Sequence, residues 1–200
     1  MFLNLDKLHK LKYFLLLAVL VGCNPPEPQE EFQSTDVAGA NFAKDFQLTD
    51  HQGSKRTLAD FKGKVVVLFF GYIHCPDICP TTLTELAAVI DRLGPDADKV
   101  QVLFVTLDPE RDTPEILAKF VTAFNPKFTG LYGSTQETAK TAQEYKLTYT
   151  KQAGKTAADY TLDHSSGTYI YDQQGKLRLY ASNDLGVEAL VADIKSLLGA

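Results

Sequence analysis

Cys75 and Cys79 lie in the hexapeptide Cys-Pro-Asp-Ile-Cys-Pro, directly after the apolar run Val-Val-Val-Leu-Phe-Phe at residues 65–70. The run predicts a buried strand, and Pro80 fits the first turn of a following helix, where its missing N–H is harmless. Two thiols therefore meet the start of a helix, which is expected to lower their pKa. Because a thiolate is needed both to bind a soft metal and to exchange disulfides, this placement alone leaves both chemistries open.

The spacing of the cysteines separates the two chemistries in part. Thioredoxin-type oxidoreductases use C-x-x-C, commonly after a tryptophan, whereas here three residues separate the thiols and the chain has no Trp. Two sulfurs select Cu(I), Zn or Fe–S. Two ligands are too few for an iron–sulfur cluster or a closed structural zinc site, so at least a third ligand must come from elsewhere.

The chain has four histidines that could supply the third ligand. His9 lies in an N-terminal leader, and His51 lies in a predicted turn, where we interpret it as a solvated loop residue. His74 precedes the first cysteine directly, and neighbours on an extended chain point in opposite directions, so we expect it beside the metal site or on the surface. His164, in the polar segment Asp-His-Ser-Ser-Gly at 163–167, is therefore the leading candidate.

The surrounding sequence alternates between strand and helix patterns. The predicted elements are a hairpin at 46–58, strands at 65–70, 100–107 and 128–132, helices at 81–93, 113–124, 134–145 and 185–198, and a hairpin at 168–181. This order predicts an α/β, thioredoxin-like fold with a mixed central sheet flanked by helices. The thiols would lie at the carboxyl end of a central strand, where sites in such folds usually lie.

The N-terminus has the features of an export signal. A lysine-rich segment precedes an apolar stretch at 13–21, which is too short to span a membrane and is followed by Gly22 and Cys23. The pattern resembles a bacterial lipoprotein signal in which Cys23 is lipidated; a plain signal peptide with an incidental cysteine is the alternative. We predict a signal peptide at 1–22, a lipidated disordered tether at 23–41 and a folded domain at 42–200, held at a membrane of the cell envelope outside the cytoplasm.

The composition narrows the function classes further. The chain has 200 residues, of which 44% are hydrophobic and 22% charged, as expected for one globular domain. The net charge is −5 and no basic cluster lies beyond the first dozen residues, so a nucleic-acid partner is not expected. Three cysteines are too few for a disulfide-stapled scaffold.

Three separated segments resemble one known family. The segment Gly-Tyr-Ile-His-Cys-Pro-Asp-Ile-Cys-Pro-Thr-Thr at 71–82 resembles the copper motif of the SCO/SenC family, the copper chaperones for cytochrome c oxidase assembly. Residues 106–114 (Thr-Leu-Asp-Pro-Glu-Arg-Asp-Thr-Pro) and 163–166 (Asp-His-Ser-Ser) resemble its second and third signatures. The similarity runs from about residue 42 to the C-terminus, and Ile73, where many members have Thr, affects no ligand.

The resemblance implies one copper bound through Cys75, Cys79 and His164. Two thiolates and one imidazole suit Cu(I), and a modest rearrangement would accept Cu(II). On chemical grounds we expect Asp108 or Asp163 to orient the imidazole. For Asp108, a plain polar role before a helix is an equal alternative. The resemblance also implies that the chain delivers copper to the dinuclear copper centre of an oxidase, or maintains the thiols of that centre, with the copper-bearing subunit as partner. A Cys75–Cys79 disulfide would abolish copper binding, so a thiol reductant is a further expected partner.

Three functions therefore compete. The first is a copper chaperone, a binding protein rather than an enzyme; the alternative is a thiol–disulfide oxidoreductase acting on exported proteins. A peroxiredoxin-like peroxidase is disfavoured because no cysteine stands out beside an activating Arg and Thr. Arg111 and Asp112 are interpreted as a solvated ion pair in a loop or as an edge for partner docking. His164 distinguishes the first two functions, because a chaperone needs it and a dithiol reductase does not.

Overall fold

The computed structural model describes residues 32–156 and 159–199. The strands are β1 (Thr35–Asp36), β2 (Leu48–Asp50), β3 (Lys55–Arg56), β4 (Val65–Gly71), β5 (Val100–Thr106), β6 (Thr129–Tyr132), β7 (Tyr149–Gln152), β8 (Thr161–His164), β9 (Thr168–Tyr171) and β10 (Leu177–Ala181). The α-helices are α1 (Ile78–Leu93), α2 (Pro114–Phe124), α3 (Thr135–Glu144) and α4 (Val187–Gly199). Short 3-10 helices cover Leu58–Phe61 and Gly94–Lys99.

Eight strands form one mixed sheet in the order β1-β10-β9-β4-β5-β6-β2-β3, while β7 and β8 pair separately as a two-stranded antiparallel ribbon. At the centre, β4 pairs in parallel with β5 and antiparallel with β9. Every residue of β4 is buried, which explains why its sequence is continuously apolar instead of alternating. The predicted α/β class, with a mixed central sheet and flanking helices, is confirmed.

Helix α1 positions the cysteines. It begins at Ile78, three residues before the predicted start, and it follows β4 after a six-residue turn. Its inner face buries Leu83, Leu86 and Ile90 at helical spacing against the core. Cys79 therefore lies in the first helical turn and Cys75 in the turn before it, both at the carboxyl end of the central strand.

The fold begins earlier than the sequence predicted. β1 pairs with β10, and the buried carboxylate of Asp193 on α4 accepts the backbone N–H groups of Gln33 and Ser34, each at 2.8 Å. These residues were predicted to belong to the tether at 23–41, so the boundary at residue 42 was wrong. A two-residue strand has no periodicity to detect, and its partners lie about 150 positions away.

The remaining N-terminal predictions, which are the signal peptide, the lipidation of Cys23 and the first part of the tether, lie outside the described residues. Within residues 32–156 and 159–199, no helix is both long and apolar enough to cross a membrane.

Candidate metal centre

Cys79 is the buried half of the cysteine pair. Its side chain is fully buried and packs against the last residue of β4, Gly71. A Cβ at Gly71 would lie only 2.7 Å from the Cys79 sulfur. The absence of a side chain at Gly71 therefore allows the thiol to sit directly against the end of the central strand.

Cys75 is the accessible half. It is half-buried, and its sulfur accepts the backbone N–H of Cys79 at 3.5 Å. Its own N–H donates to the Tyr72 carbonyl at 3.3 Å, which closes the turn between β4 and α1. The two cysteines do not form a disulfide with each other.

His164 reaches this pair from the last position of β8. Its Nε2 lies 4.0 Å from the Cys79 sulfur, and its Nδ1 lies 3.0 Å from the Ser165 carbonyl oxygen. A carbonyl only accepts, so Nδ1 carries the proton; in the neutral ring Nε2 then presents its lone pair towards the sulfur. This is the tautomer that a metal ligand needs.

The partner that orients His164 is a backbone carbonyl. The sequence predicted this role for Asp163 or Asp108, but the hydrogen bonds of both carboxylates go to residues other than His164. Asp163 accepts instead from the side-chain amide of Gln152 at 2.8 Å. Asp108 accepts from the Tyr160 hydroxyl at 2.6 Å and from Arg111 Nε at 2.5 Å.

The sulfur and nitrogen are separated by a distance that suits one bridging metal. With bonds of about 2.3 Å to sulfur and about 2.0 Å to nitrogen, a trigonal ion would hold the two ligands roughly 3.7 Å apart. The observed separation of 4.0 Å is close to this value. Two sulfurs and one imidazole nitrogen form a soft donor set that suits Cu(I).

The third ligand is not yet in place. Within the described parts of the chain, no three or more His, Cys, Asp or Glu side chains already converge on one point as a metal cluster would. Cys79 and His164 face each other, so a metal held by all three side chains would require a rearrangement of Cys75, the more exposed thiol.

Burial dominates the electrostatics of the site. It raises the pKa of the Cys79 thiol, and the neighbouring Cys75 raises it further, whereas the Tyr72 backbone amide acts in the opposite direction. The predicted lowering by the helix N-terminus is therefore wrong for Cys79, because desolvation outweighs the helix dipole. Burial also lowers the pKa of His164, against the opposing effects of the Ser165 carbonyl and Asp163. A cation must displace the thiol proton to bind here, but it meets an imidazole that is already neutral.

Comparison with known proteins identifies the family. The SCO1/SenC family model matches residues 34–199, which is most of the chain. The chain belongs to the SCO1/SenC family. It is 38% identical over 158 residues to the mitochondrial "Protein SCO2 homolog" of Mus musculus, covering 78% of this chain and 62% of that protein. It is 37% identical over 164 residues to a "SCO2-like protein" of Rickettsia felis, covering 82% of this chain and 78% of that protein.

Solved structures of this family share the fold. ScoI of Bradyrhizobium japonicum, solved with copper bound, is 40% identical and superposes with a TM-score of 0.71, covering 77% of this chain and 98% of that one. BsSco, a member of the Sco family of cytochrome c oxidase assembly proteins, is 21% identical with a TM-score of 0.64, covering 83% of this chain and 97% of that one; it shows the fold alone. The chain spans about three fifths of the length of the mouse relative.

In this SCO1/SenC chain, Asp112 of the second signature hydrogen-bonds to the turn that carries the cysteines. Asp112 is 1% exposed, and its Oδ2 accepts the Ile73 N–H at 3.0 Å and the Thr106 hydroxyl at 2.5 Å. Burial raises its pKa. Its Oδ1 lies 3.8 Å from Nδ1 of His74, whose side chain is half exposed. The predicted Arg111–Asp112 ion pair is wrong, since Arg111 pairs with Asp108.

Sequence reasoning also missed Tyr72. It is 2% exposed, and its ring packs edge-on against the His164 imidazole with the ring centres 6.2 Å apart. The ring limits where the imidazole can turn. Its position between the strand and the cysteines, in the family's copper motif, is the signal that could have identified it.

Proposed function

We propose that this chain is a copper-binding chaperone that holds one copper through Cys75, Cys79 and His164. The observation that carries the proposal is the 4.0 Å approach of His164 Nε2 to the Cys79 sulfur, with the lone pair of Nε2 turned towards it. Membership of the SCO1/SenC family and the copper-bound ScoI neighbour support the choice of metal.

The exposure of the ligands suits a carrier. Cys79 is fully buried, whereas Cys75 and His164 are half-buried. The buried thiolate would hold the ion while the other two ligands face the side from which a recipient protein approaches. A carrier must release its metal, and ligands that a recipient can replace one after another allow this transfer.

The recipient we propose is the dinuclear copper centre of cytochrome c oxidase, through its copper-bearing subunit. A thiol reductant would keep Cys75 and Cys79 reduced, since a disulfide between them removes both sulfur ligands. A lipid on Cys23 would hold the domain at an envelope membrane, facing outside the cytoplasm. The signal-like residues 13–23 support the last point.

The alternative function is a thiol–disulfide oxidoreductase. The pair of free cysteines supports it, with the half-buried Cys75 as the attacking thiol. The environment of Cys79 disfavours it, because a buried thiol whose pKa is raised is a poor leaving group and forms little thiolate. A neutral imidazole directed at that thiol is also more useful to a metal.

Titration of the full, reduced chain with Cu(I) against a competing chelator tests the proposal. In His164→Asn, the amide can still donate to the Ser165 carbonyl, but nothing reaches the former position of Nε2. The matched control is His51→Asn, because His51 Nδ1 accepts the Gly130 N–H at 3.0 Å and an Asn oxygen can replace it. We expect a large loss of affinity in His164→Asn, a stoichiometry of one in the parent, and no loss in the control.

Equal Cu(I) affinities in the parent and His164→Asn would refute the ligand assignment. Insulin reduction, measured on the same samples, addresses the alternative function. The chaperone account expects it to be weak and unaffected by His164→Asn, whereas strong reduction without copper binding would favour the oxidoreductase.

A further inference from the structure

The ribbon that carries His164 is not part of the main sheet. Its two strands, β7 and β8, pair with each other and not with any of the eight strands of the main sheet, at whose centre β4 leads into the cysteine turn. The position of the His164 ring relative to Cys79 therefore depends on the contacts that fix the ribbon to the rest of the domain.

Tyr160, the residue just before β8, makes several of these contacts. Its hydroxyl donates to Asp108 Oδ1 at 2.6 Å, and its carbonyl accepts from Arg111 Nη1 at 2.9 Å. The Arg111 guanidinium lies 3.5 Å from the centre of the Tyr160 ring, and Arg111 Nε also pairs with Asp108 at 2.5 Å. We call Tyr160, Asp108 and Arg111 the tyrosine clasp.

The clasp is buried and chemically well matched. Tyr160 is 7% exposed and Asp108 4% exposed, so little water competes for the carboxylate. Burial and the Asp108 carboxylate together raise the pKa of Tyr160 to about 12, so the phenol remains a donor at any physiological pH. Lys151 of β7 places its ammonium 3.5 Å from the centre of the same ring.

Strand geometry connects the clasp to the imidazole. Successive side chains on a strand alternate between faces, so Tyr160, Leu162 and His164 share one face. The exposure pattern agrees: Tyr160 and Leu162 are buried, His164 is half-buried, and Thr161 and Asp163 between them are exposed. A slip of one residue would turn Asp163 towards Cys79 in place of His164.

We infer that the tyrosine clasp is the positioning device that sets the register of β8 and so holds His164 Nε2 opposite Cys79. Asp108 and Arg111 of the second family signature thus act on the metal site through Tyr160, and none of the three is a proposed ligand. The expected effect of the clasp on Cu(I) affinity rests on the proposed function. Its effect on the position of the His164 imidazole in the metal-free protein does not.

The test compares Tyr160→Phe with Tyr149→Phe in the full chain. The first removes the hydroxyl that binds Asp108 and keeps the ring against Arg111. The second makes the same change on the same ribbon, directly across from His164, outside the clasp. The first measurement is made on the metal-free reduced protein: nuclear Overhauser contacts between the His164 and Tyr72 rings, with amide exchange across β7 and β8. Cu(I) affinity and melting temperature follow.

In Tyr160→Phe we expect weaker ring contacts, faster exchange in the ribbon and about a tenfold loss of Cu(I) affinity, because a buried hydrogen bond to a charged group is lost. Tyr149→Phe should leave all three unchanged. Asp108→Asn, which weakens the same bond from the other side, should reproduce the ring result.

Unchanged ring contacts and exchange in Tyr160→Phe would overturn the inference, as would equal effects in Tyr149→Phe. A fall in melting temperature with the ring contacts intact would show a merely structural role and also overturn it. If His164→Asn bound copper as tightly as the parent, the proposed ligand assignment would fail, and the measurement on the metal-free protein would still decide the role of the clasp.

Discussion

Replacing Gly71 with alanine perturbs the metal site from inside the core. The new Cβ would lie 2.7 Å from the Cys79 sulfur and 2.8 Å from Cε2 of Phe104, whereas an ordinary contact needs about 3.4 Å. The sulfur must therefore retreat by about 0.7 Å, unless the strand moves instead. Ligand distances in metal sites tolerate only about 0.2 Å, so the copper geometry should be lost.

The same substitution also overpacks the core, so loss of stability must be separated from loss of geometry. Overpacking costs about 1–3 kcal/mol. At about 2 kcal/mol, a domain of this size should melt about 4–8 °C lower. Gly130→Ala on β6 is the matched control, because its Cβ would lie 2.6 Å from Cγ of Leu117, in the core and not against a thiol.

Thermal melts and Cu(I) competition titrations on both variants complete the test. We expect similar losses of stability, but weakened copper binding only in Gly71→Ala. If Gly71→Ala bound Cu(I) as tightly as Gly130→Ala while equally destabilised, the argument that the site depends on the placement of the Cys79 sulfur would be refuted.

Three further predictions follow from the burial and charge of single residues. Iodoacetamide should label Cys75 at least about tenfold faster than Cys79, because burial raises the pKa of Cys79; peptide mass spectrometry of the metal-free protein measures this, and the reverse order would contradict it. Burial raises the pKa of Asp112, so the native state keeps a proton that the unfolded state loses, and stability falls as pH rises from about 3.8 through the higher native pKa. Asp112→Asn should remove that fall in urea titrations across pH, and an unchanged slope would count against the assignment. Cys23→Ser should move the protein from the membrane to the soluble fraction with its copper affinity intact, and persistent membrane association would argue against a lipid there.

The parts of the fold that follow from local pattern could be predicted from the sequence. The continuous apolar run of β4 and the helical spacing of α1 place the cysteines at the end of a central strand, as observed. The ribbon could not be predicted in this way. Strand β7 reads Tyr-Thr-Lys-Gln and has three exposed residues in succession, so no alternation marks it as a strand.

In the candidate site, too, some residues could be predicted from the sequence and others could not. Residue types, spacing and the family resemblance predicted Cys75, Cys79 and His164 as the ligands, and the structure brings His164 to 4.0 Å from Cys79. The groups that position these residues depend on contacts between distant segments. His164 is oriented by the backbone carbonyl of Ser165, and a contact to a backbone carbonyl cannot be read from a pattern of residue types. The structural role of Asp112 was missed because a charged residue in a polar loop is usually solvated. In the structure Asp112 is buried, and it accepts hydrogen bonds from the Ile73 N–H and the Thr106 hydroxyl.

X-ray absorption at the copper edge of the Cu(I)-loaded protein tests the central claim most directly. The account predicts two sulfur ligands and one imidazole nitrogen in the parent and in His51→Asn, with the nitrogen signal absent from His164→Asn. A parent spectrum with sulfur ligands alone, or a nitrogen signal that persists in His164→Asn, would contradict it.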